Sequence, residues 1–202
     1  MKPLHKPNLF CWSAFNEERN LDFHSVFWKG THSNVVIDPL ELSAHDRRHI
    51  EALGGVQDII ITNSDHLRAT AQLRAATGAR VWVPARELLV LSDLEARGLE
   101  DGAEPFPGIK VLELRGSKTE GELCVLIEGD TLVMGDLVRG HRAGQLNLLP
   151  DAKLQSKPEA LASLRRLASL PGVEAVLVGD GWPVFRDGAR ALQVLLEASQ
   201  GR

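Results

Sequence analysis

Three apolar stretches of this sequence end in an acid. Ile59-Ile60-Ile61-Thr62 runs into Asn63-Ser64-Asp65-His66, Leu132-Val133-Met134-Gly135 into Asp136, and Ala175-Val176-Leu177-Val178-Gly179 into Asp180-Gly181. A buried strand that stops at an acid sets that acid at one rim of its sheet, where open α/β sheets take their ligands. The glycines before Asp136 and Asp180 leave room for close approach. Three carboxylates gathered at a partly dry rim repel one another. They relieve this by holding protons, by staying apart in water, or by sharing a cation. The imidazole of His66, next to Asp65, favours the cation, because three aspartates and one histidine suit a single divalent ion. The expected ligands are Asp65, His66, Asp136 and Asp180. Oxygen-rich ligation leans toward manganese, iron or magnesium, and the imidazole keeps zinc in the set.

Each residue taken alone also fits a plainer role. Asp65 can cap the helix that starts there, with His66 on the surface of its first turn. Asp136 and Asp180 have the composition of turn acids beside glycine. Asp38, before Pro39, is expected to stabilise its own turn. Arg139, His141 and Arg142 follow Asp136 in a loop with two glycines, where they can grip an anionic group of a substrate or serve as surface charge. Ser117-Lys118-Thr119 lacks the glycines of a phosphate loop.

The elements that must position these residues fall into two halves, about 1–105 and 106–202. In the first half, Leu21 to Trp28 alternates like a strand, and Asn34 to Asp38 is a second short strand stopped by Pro39. Ser43 caps a helix that ends at Gly54-Gly55, followed by a strand at Val56 to Thr62. Helical spacing runs from about Asp65 to Ala76, a strand follows at Arg80 to Pro84, and Glu87 to Arg97 is expected to be helical. Asp101 to Gly108 is the midpoint loop. The second half repeats this grammar. Strands are expected at Ile109 to Leu114, Glu122 to Ile127, Thr131 to Met134 and Val173 to Val178. Helices start near the capping box Ser156-Lys157-Pro158-Glu159 and near Asp187. Neither half covers its own sheet. Two such halves packed sheet to sheet, with helices outside, make a four-layer α/β sandwich in one domain.

The pattern resembles the metallo-β-lactamase superfamily from about Asn34 to Gly188. Val35-Val36-Ile37-Asp38-Pro39 looks like the family's early apolar-Asp turn. Thr62-Asn63-Ser64-Asp65-His66 falls where the family has Thr-His-x-His-x-Asp-His. Gly116-Ser117-Lys118-Thr119-Glu120-Gly121 looks like its Gly-His-Thr-Pro-Gly segment. Met134-Gly135-Asp136 looks like the Gly-Asp that bridges two metals, and Val178-Gly179-Asp180-Gly181 like the closing Gly-His-Gly. The resemblance implies an αββα sandwich and a metal-dependent hydrolase. It also implies a dismantled first metal site. The two histidines before Asp65-His66 become Ile61 and Asn63, and the third becomes Ser117 or Lys118. The second site keeps Asp65, His66 and Asp136, and takes Asp180 for its last histidine.

The function expected on these grounds is hydrolysis of an ester, thioester, amide or phosphoester. One divalent ion (zinc, manganese or iron) activates water, and Asp65 orients that water as a base. Asn63, Lys118, Arg139 and His141 are the expected substrate-binding residues, with Lys118 near the vacated first site. The alternative is a non-catalytic binding protein or pseudoenzyme on the same fold. A net charge of −4, from 23 basic and 27 acidic residues, argues against nucleic acid or an anionic membrane as partner. The absence of a long apolar run and the two well-separated cysteines lead us to expect a cytoplasmic protein acting on a small molecule. Six of the ten aromatics lie at or before Trp28. That segment reads as an apolar sheet layer, part of it a homo-oligomer interface or a lid over the site.

Overall fold

A computed structural model describes residues 1–200, among which there are thirteen strands and four α-helices. The first sheet has seven strands in sequence order. They are β1 (Lys2–Pro3), β2 (Leu9–Asn16), β3 (Leu21–Lys29), β4 (Asn34–Ile37), β5 (Asp58–Ile60), β6 (Arg80–Pro84) and β7 (Arg97–Leu99). The first four pair antiparallel, and β4 to β7 pair parallel. Parallel strands need crossovers. Helices α1 (Ala44–Ala52) and α2 (Thr70–Thr77) supply the first two.

The second sheet takes β8 (Ile109–Leu114), β9 (Glu122–Ile127), β10 (Thr131–Val133) and, beyond a separate hairpin, β13 (Ala175–Leu177), in the order β13-β10-β9-β8. That hairpin is β11 (Val138–Arg142) with β12 (Gln145–Leu148). Helix α3 (Lys157–Ala168) makes the crossover from β10 to β13, which pair parallel, and α4 (Gly188–Gln200) closes the chain.

Three apolar clusters fix the layers. Ile37, Ile60 and Trp28 of the first sheet meet Val111, Leu123 and Ile127 of the second in one buried cluster between the sheets. Ile59 and Val81 turn the other way, to Ile50 of α1 and Leu73 of α2. Cys124 and Leu132 face Leu164 of α3 and Leu192 of α4. A strand alternates its two faces, so each sheet presents one face to its partner and one to helices. The result is the four-layer αββα sandwich.

Local signals explain most boundaries. Ser43 accepts from the Asp46 amide and Ser156 from the Glu159 amide, capping α1 and α3. Gly78, at φ 70°, ends α2 in the left-handed conformation. Several expectations need correction. The stretch Glu87 to Arg97 is not a helix but two 3-10 turns followed by β7, whose Leu99 is buried. The helix expected from Asp65 is a 3-10 turn at Ser64–His66, with α2 starting only at Thr70. The loop after Asp136 is the hairpin β11–β12, turning at Gly144 (φ 74°). The aromatic-rich segment before Trp28 contains β2, with Phe10 and Trp12 buried and Phe15 exposed.

Candidate functional site

The rim where β4, β5, β10 and β13 end gathers most of the candidates. Asp38 follows β4 in the left-handed region, at φ 51°. This turns its carboxylate across to the end of β5. Its Oδ1 accepts from the Thr62 amide at 2.8 Å, and its Oδ2 from the Thr62 hydroxyl at 2.6 Å. His66 Nδ1 donates to the same Oδ2 at 2.7 Å. Asp38 therefore does more than hold its own turn: it orients His66. Asp38 follows the apolar run Val35-Val36-Ile37, the same strand-then-acid signal as the other acids, although its place before Pro39 pointed only to a turn role.

His66 is buried, with Nε2 directed toward Asp136 Oδ2 at 3.9 Å. Burial disfavours the imidazolium, but the charge of Asp38 and its hydrogen bond outweigh this and hold the His66 pKa above its ordinary value. Gly179 permits this packing. A Cβ there would stand 2.9 Å from His66 Cε1.

Arg139 is the decisive residue. It is only 3% exposed, its Nε donates to the Asp136 carbonyl at 3.0 Å, and a terminal nitrogen pairs with the Asp136 carboxylate. Its other terminal nitrogen lies 3.6 Å from Asp180 Oδ2. The guanidinium thus lies between the two aspartates. Burial acts to raise the Asp136 pKa, but His66 and Arg139 outweigh it and hold that pKa below the usual value. Asp180 Oδ2 also lies 3.4 Å from His141 Nε2, while its buried Oδ1 has no partner. Asn63 donates from Nδ2 to Asp136 Oδ2 at 3.4 Å and accepts the Asp65 amide at 3.0 Å.

Asp65 stands apart from this cluster. Its side chain is 40% exposed and pairs with Lys118. The structure therefore brings His66, Asn63, Asp136, Arg139, Asp180 and His141 together, and sets Asp65 and Lys118 to one side as a pair of their own. Among the described residues, no three His, Cys, Asp or Glu side chains are grouped to hold a metal ion. With a guanidinium between Asp136 and Asp180 and an ammonium on Asp65, the donor set as arranged does not fit a divalent ion.

Three further groups escaped the sequence reading. Glu122 is wholly buried at the start of β9, accepting from the Ser117 hydroxyl and from the Leu137 amide at 2.9 Å. Burial, with Asp136 nearby, pushes its pKa up to about 7. Glu87 is also buried and bridges two loops, accepting from the Ser64 amide at 2.6 Å and the Gly121 amide at 3.1 Å. Arg68 ties the halves together, donating to the carbonyls of His24 at 2.7 Å and Gly179 at 3.4 Å. Glu122 had a visible signal, an acid heading the apolar run Leu123 to Ile127. Glu87, which heads Leu88-Leu89-Val90-Leu91, had the same signal, whereas Arg68, among polar and small residues, had none.

Two sheets face to face between outer helices, with a cluster borne on strand ends, loops and the β11–β12 hairpin at one rim, define the metallo-β-lactamase type of sandwich. A family model described as Metallo-beta-lactamase superfamily matches residues 1–199, and the chain belongs to that superfamily. Solved structures agree on the fold. The chain is similar to the metallo-β-lactamase from Pontibacter korlensis, with TM-score 0.75, 15% identity, and 98% of this chain and 97% of that one covered. It is also similar to the DIM-1 metallo-β-lactamase, with TM-score 0.74, 13% identity and coverage of 98% and 96%. For TMB-1 the TM-score is 0.73 at 14% identity, covering 98% and 97%. No curated protein matches the chain. The superfamily is metal-dependent, typically on zinc, and family and fold together suggest a metal-dependent hydrolase.

Proposed function

We propose that this chain is a binding member of the superfamily that works without a metal, with Arg139 serving as its built-in cation. The observation that carries this is the buried guanidinium between Asp136 and Asp180. A cation at this position answers the repulsion that made a metal the expectation in the first place. Arginine is always charged, and its planar fork suits paired carboxylates. Lys118 on Asp65 and Asn63 on Asp136 extend the same substitution, giving the rim organic donors for its acids. The chain is read as one domain of two halves. Of the expected substrate contacts, Asn63, Lys118 and Arg139 are taken up by the acids, and His141, exposed at the edge of the cluster, is left to meet a small-molecule ligand.

A second reading is favoured by one specific observation, the unpartnered Asp180 Oδ1. A single ion (zinc, manganese or iron) on Asp65, His66, Asp136 and Asp180 would use that atom and support hydrolysis of an ester, thioester, amide or phosphoester. It requires Arg139 to leave the cluster and Asp65 to leave Lys118.

Elemental analysis separates the two readings. Protein grown with zinc, manganese and iron is expected to carry only traces of metal and to hydrolyse no member of an ester, thioester, amide and phosphoester panel. About one equivalent of metal, removed by Asp136→Asn, would overturn the metal-free reading.

A further inference from the structure

A groove of about 1150 Å³ opens between the hairpin β11–β12, the Pro183–Asp187 segment and α4. It starts at His141, the residue beside Asp180, so it continues outward from the rim cluster. Its volume lies just above the range of roughly 300–1,000 Å³ common for small-molecule sites. Its floor is apolar: Leu146, Leu149 and Leu195 are buried there, and Val194 stands 57% exposed along it.

Its charge runs against the rest of the chain. The lining carries four side-chain cations, Arg142, Lys157, Arg186 and Arg190, and two carboxylates, Asp151 and Asp187. Lys157 pairs with Asp151 at 2.6 Å. Among the described residues the three arginines make no ion pair, so three arginines line an apolar trough with Asp187 as the only unpaired acid in its lining. A protein of net charge −4 has many acids to spare for such arginines and does not bring them here.

We propose that this groove binds a single-chain amphipathic carboxylate, with its alkyl body on the Leu146–Leu149–Leu195 floor and its carboxylate among Arg142, Arg186 and Arg190. The alkyl chain gains from leaving water, at about 0.8 kcal/mol for each buried methylene. The arginines give the paired hydrogen bonds that carboxylates accept. This names a ligand class for the metal-free binding reading and rests on it for its biological sense, although the groove shares none of the Asp136–Arg139–Asp180 contacts.

Calorimetric titration of the full chain with decanoate tests it, with 1-decanol and acetate as controls and each run made in EDTA and again with zinc. Decanoate is expected to bind at least about tenfold more tightly than either control, because neither carries both features. Reversing two charges in Arg186→Glu/Arg190→Glu is expected to weaken decanoate about tenfold or more. Val194→Glu, at an exposed position where folding is not at stake, is expected to abolish binding while circular dichroism stays unchanged. The proposal is overturned by no binding up to about 1 mM decanoate, by equal affinity for 1-decanol, or by native affinity in Val194→Glu. Stoichiometric zinc uptake beside intact decanoate binding would overturn the metal-free reading and uphold the groove. Trace metal with no decanoate binding would do the reverse.

Discussion

Arg139 folds back onto Asp136, three residues before it, holding both its backbone carbonyl and its carboxylate. The two side chains are almost wholly buried, and Asp180 shares the guanidinium. Removing one partner of such a pair leaves an uncompensated buried charge, at a cost of roughly 3–5 kcal/mol. Arg139→Ala is therefore expected to lower the melting temperature by on the order of 10 °C. If a metal normally sits on these aspartates instead, zinc will restore the native melting temperature to Arg139→Ala. Without such restoration, the guanidinium is the cation the cluster depends on.

Glu122 gives the stability a pH dependence. Its folded pKa of about 7 lies above the ordinary 4.5, so between these values the folded state holds a proton that the unfolded state has lost. Stability from this group therefore falls as pH rises through that window, by up to about 1.4 kcal/mol per pH unit. Glu122→Gln mimics the protonated form, since its amide oxygen can still accept from the Leu137 amide and its NH2, like a protonated carboxyl, can donate to the Ser117 oxygen. Denaturant titrations across the window should show a flatter profile for Glu122→Gln than for the native chain. Parallel profiles would mean that Glu122 ionises normally.

Asp38 sets the charge state of His66. In Asp38→Asn the imidazole keeps its burial and loses the negative charge at its Nδ1, so its pKa should fall. An NMR pH titration of the His66 ring should place its midpoint below that of the native chain. The sign for stability follows from a raised histidine pKa. The contribution is complete below 6.5 and disappears as pH rises through the folded value. The native chain's advantage over Asp38→Asn should accordingly narrow from mildly acid to alkaline pH.

Gly179 is required by the ring that packs on it. Alanine there would put a Cβ 2.9 Å from His66 Cε1 and 3.3 Å from the Gly135 carbonyl oxygen. Neither neighbour is a flexible chain end, so Gly179→Ala should cost about 1–3 kcal/mol. Thermal unfolding measures this. A neutral result would show that the His66 ring has space the structure does not give it.

The Lys118–Asp65 pair lies at the opposite extreme. Both side chains are more than a third exposed, and pairs of this kind contribute about 0–1 kcal/mol. Lys118→Ala should leave the melting temperature nearly unchanged. A large loss would mean that Asp65 is held for a role in the rim cluster after all.

The sequence by itself determined the layers of this protein. Apolar runs such as Ile59-Ile60-Ile61 and Leu123 to Ile127 read as buried strands, and the caps at Ser43 and Ser156 fix where helices begin, because these are local preferences carried by neighbouring residues. It also marked the acids at the ends of the strands. Two things depended on residues far apart in the chain, and only the tertiary structure decided them. One is the edge pairing of β7, whose Arg97-Gly98-Leu99 has no strand signature and extends because β6 offers it a partner. The other is the cation that answers the acids. Asp136 and Asp180 needed a positive neighbour on electrostatic grounds, and the residue types along the sequence pointed to a metal to supply it. The back-fold of Arg139 at the start of the β11–β12 hairpin supplied a guanidinium. A charge is stabilised by what surrounds it in space, and that surrounding is assembled only when both sheets close.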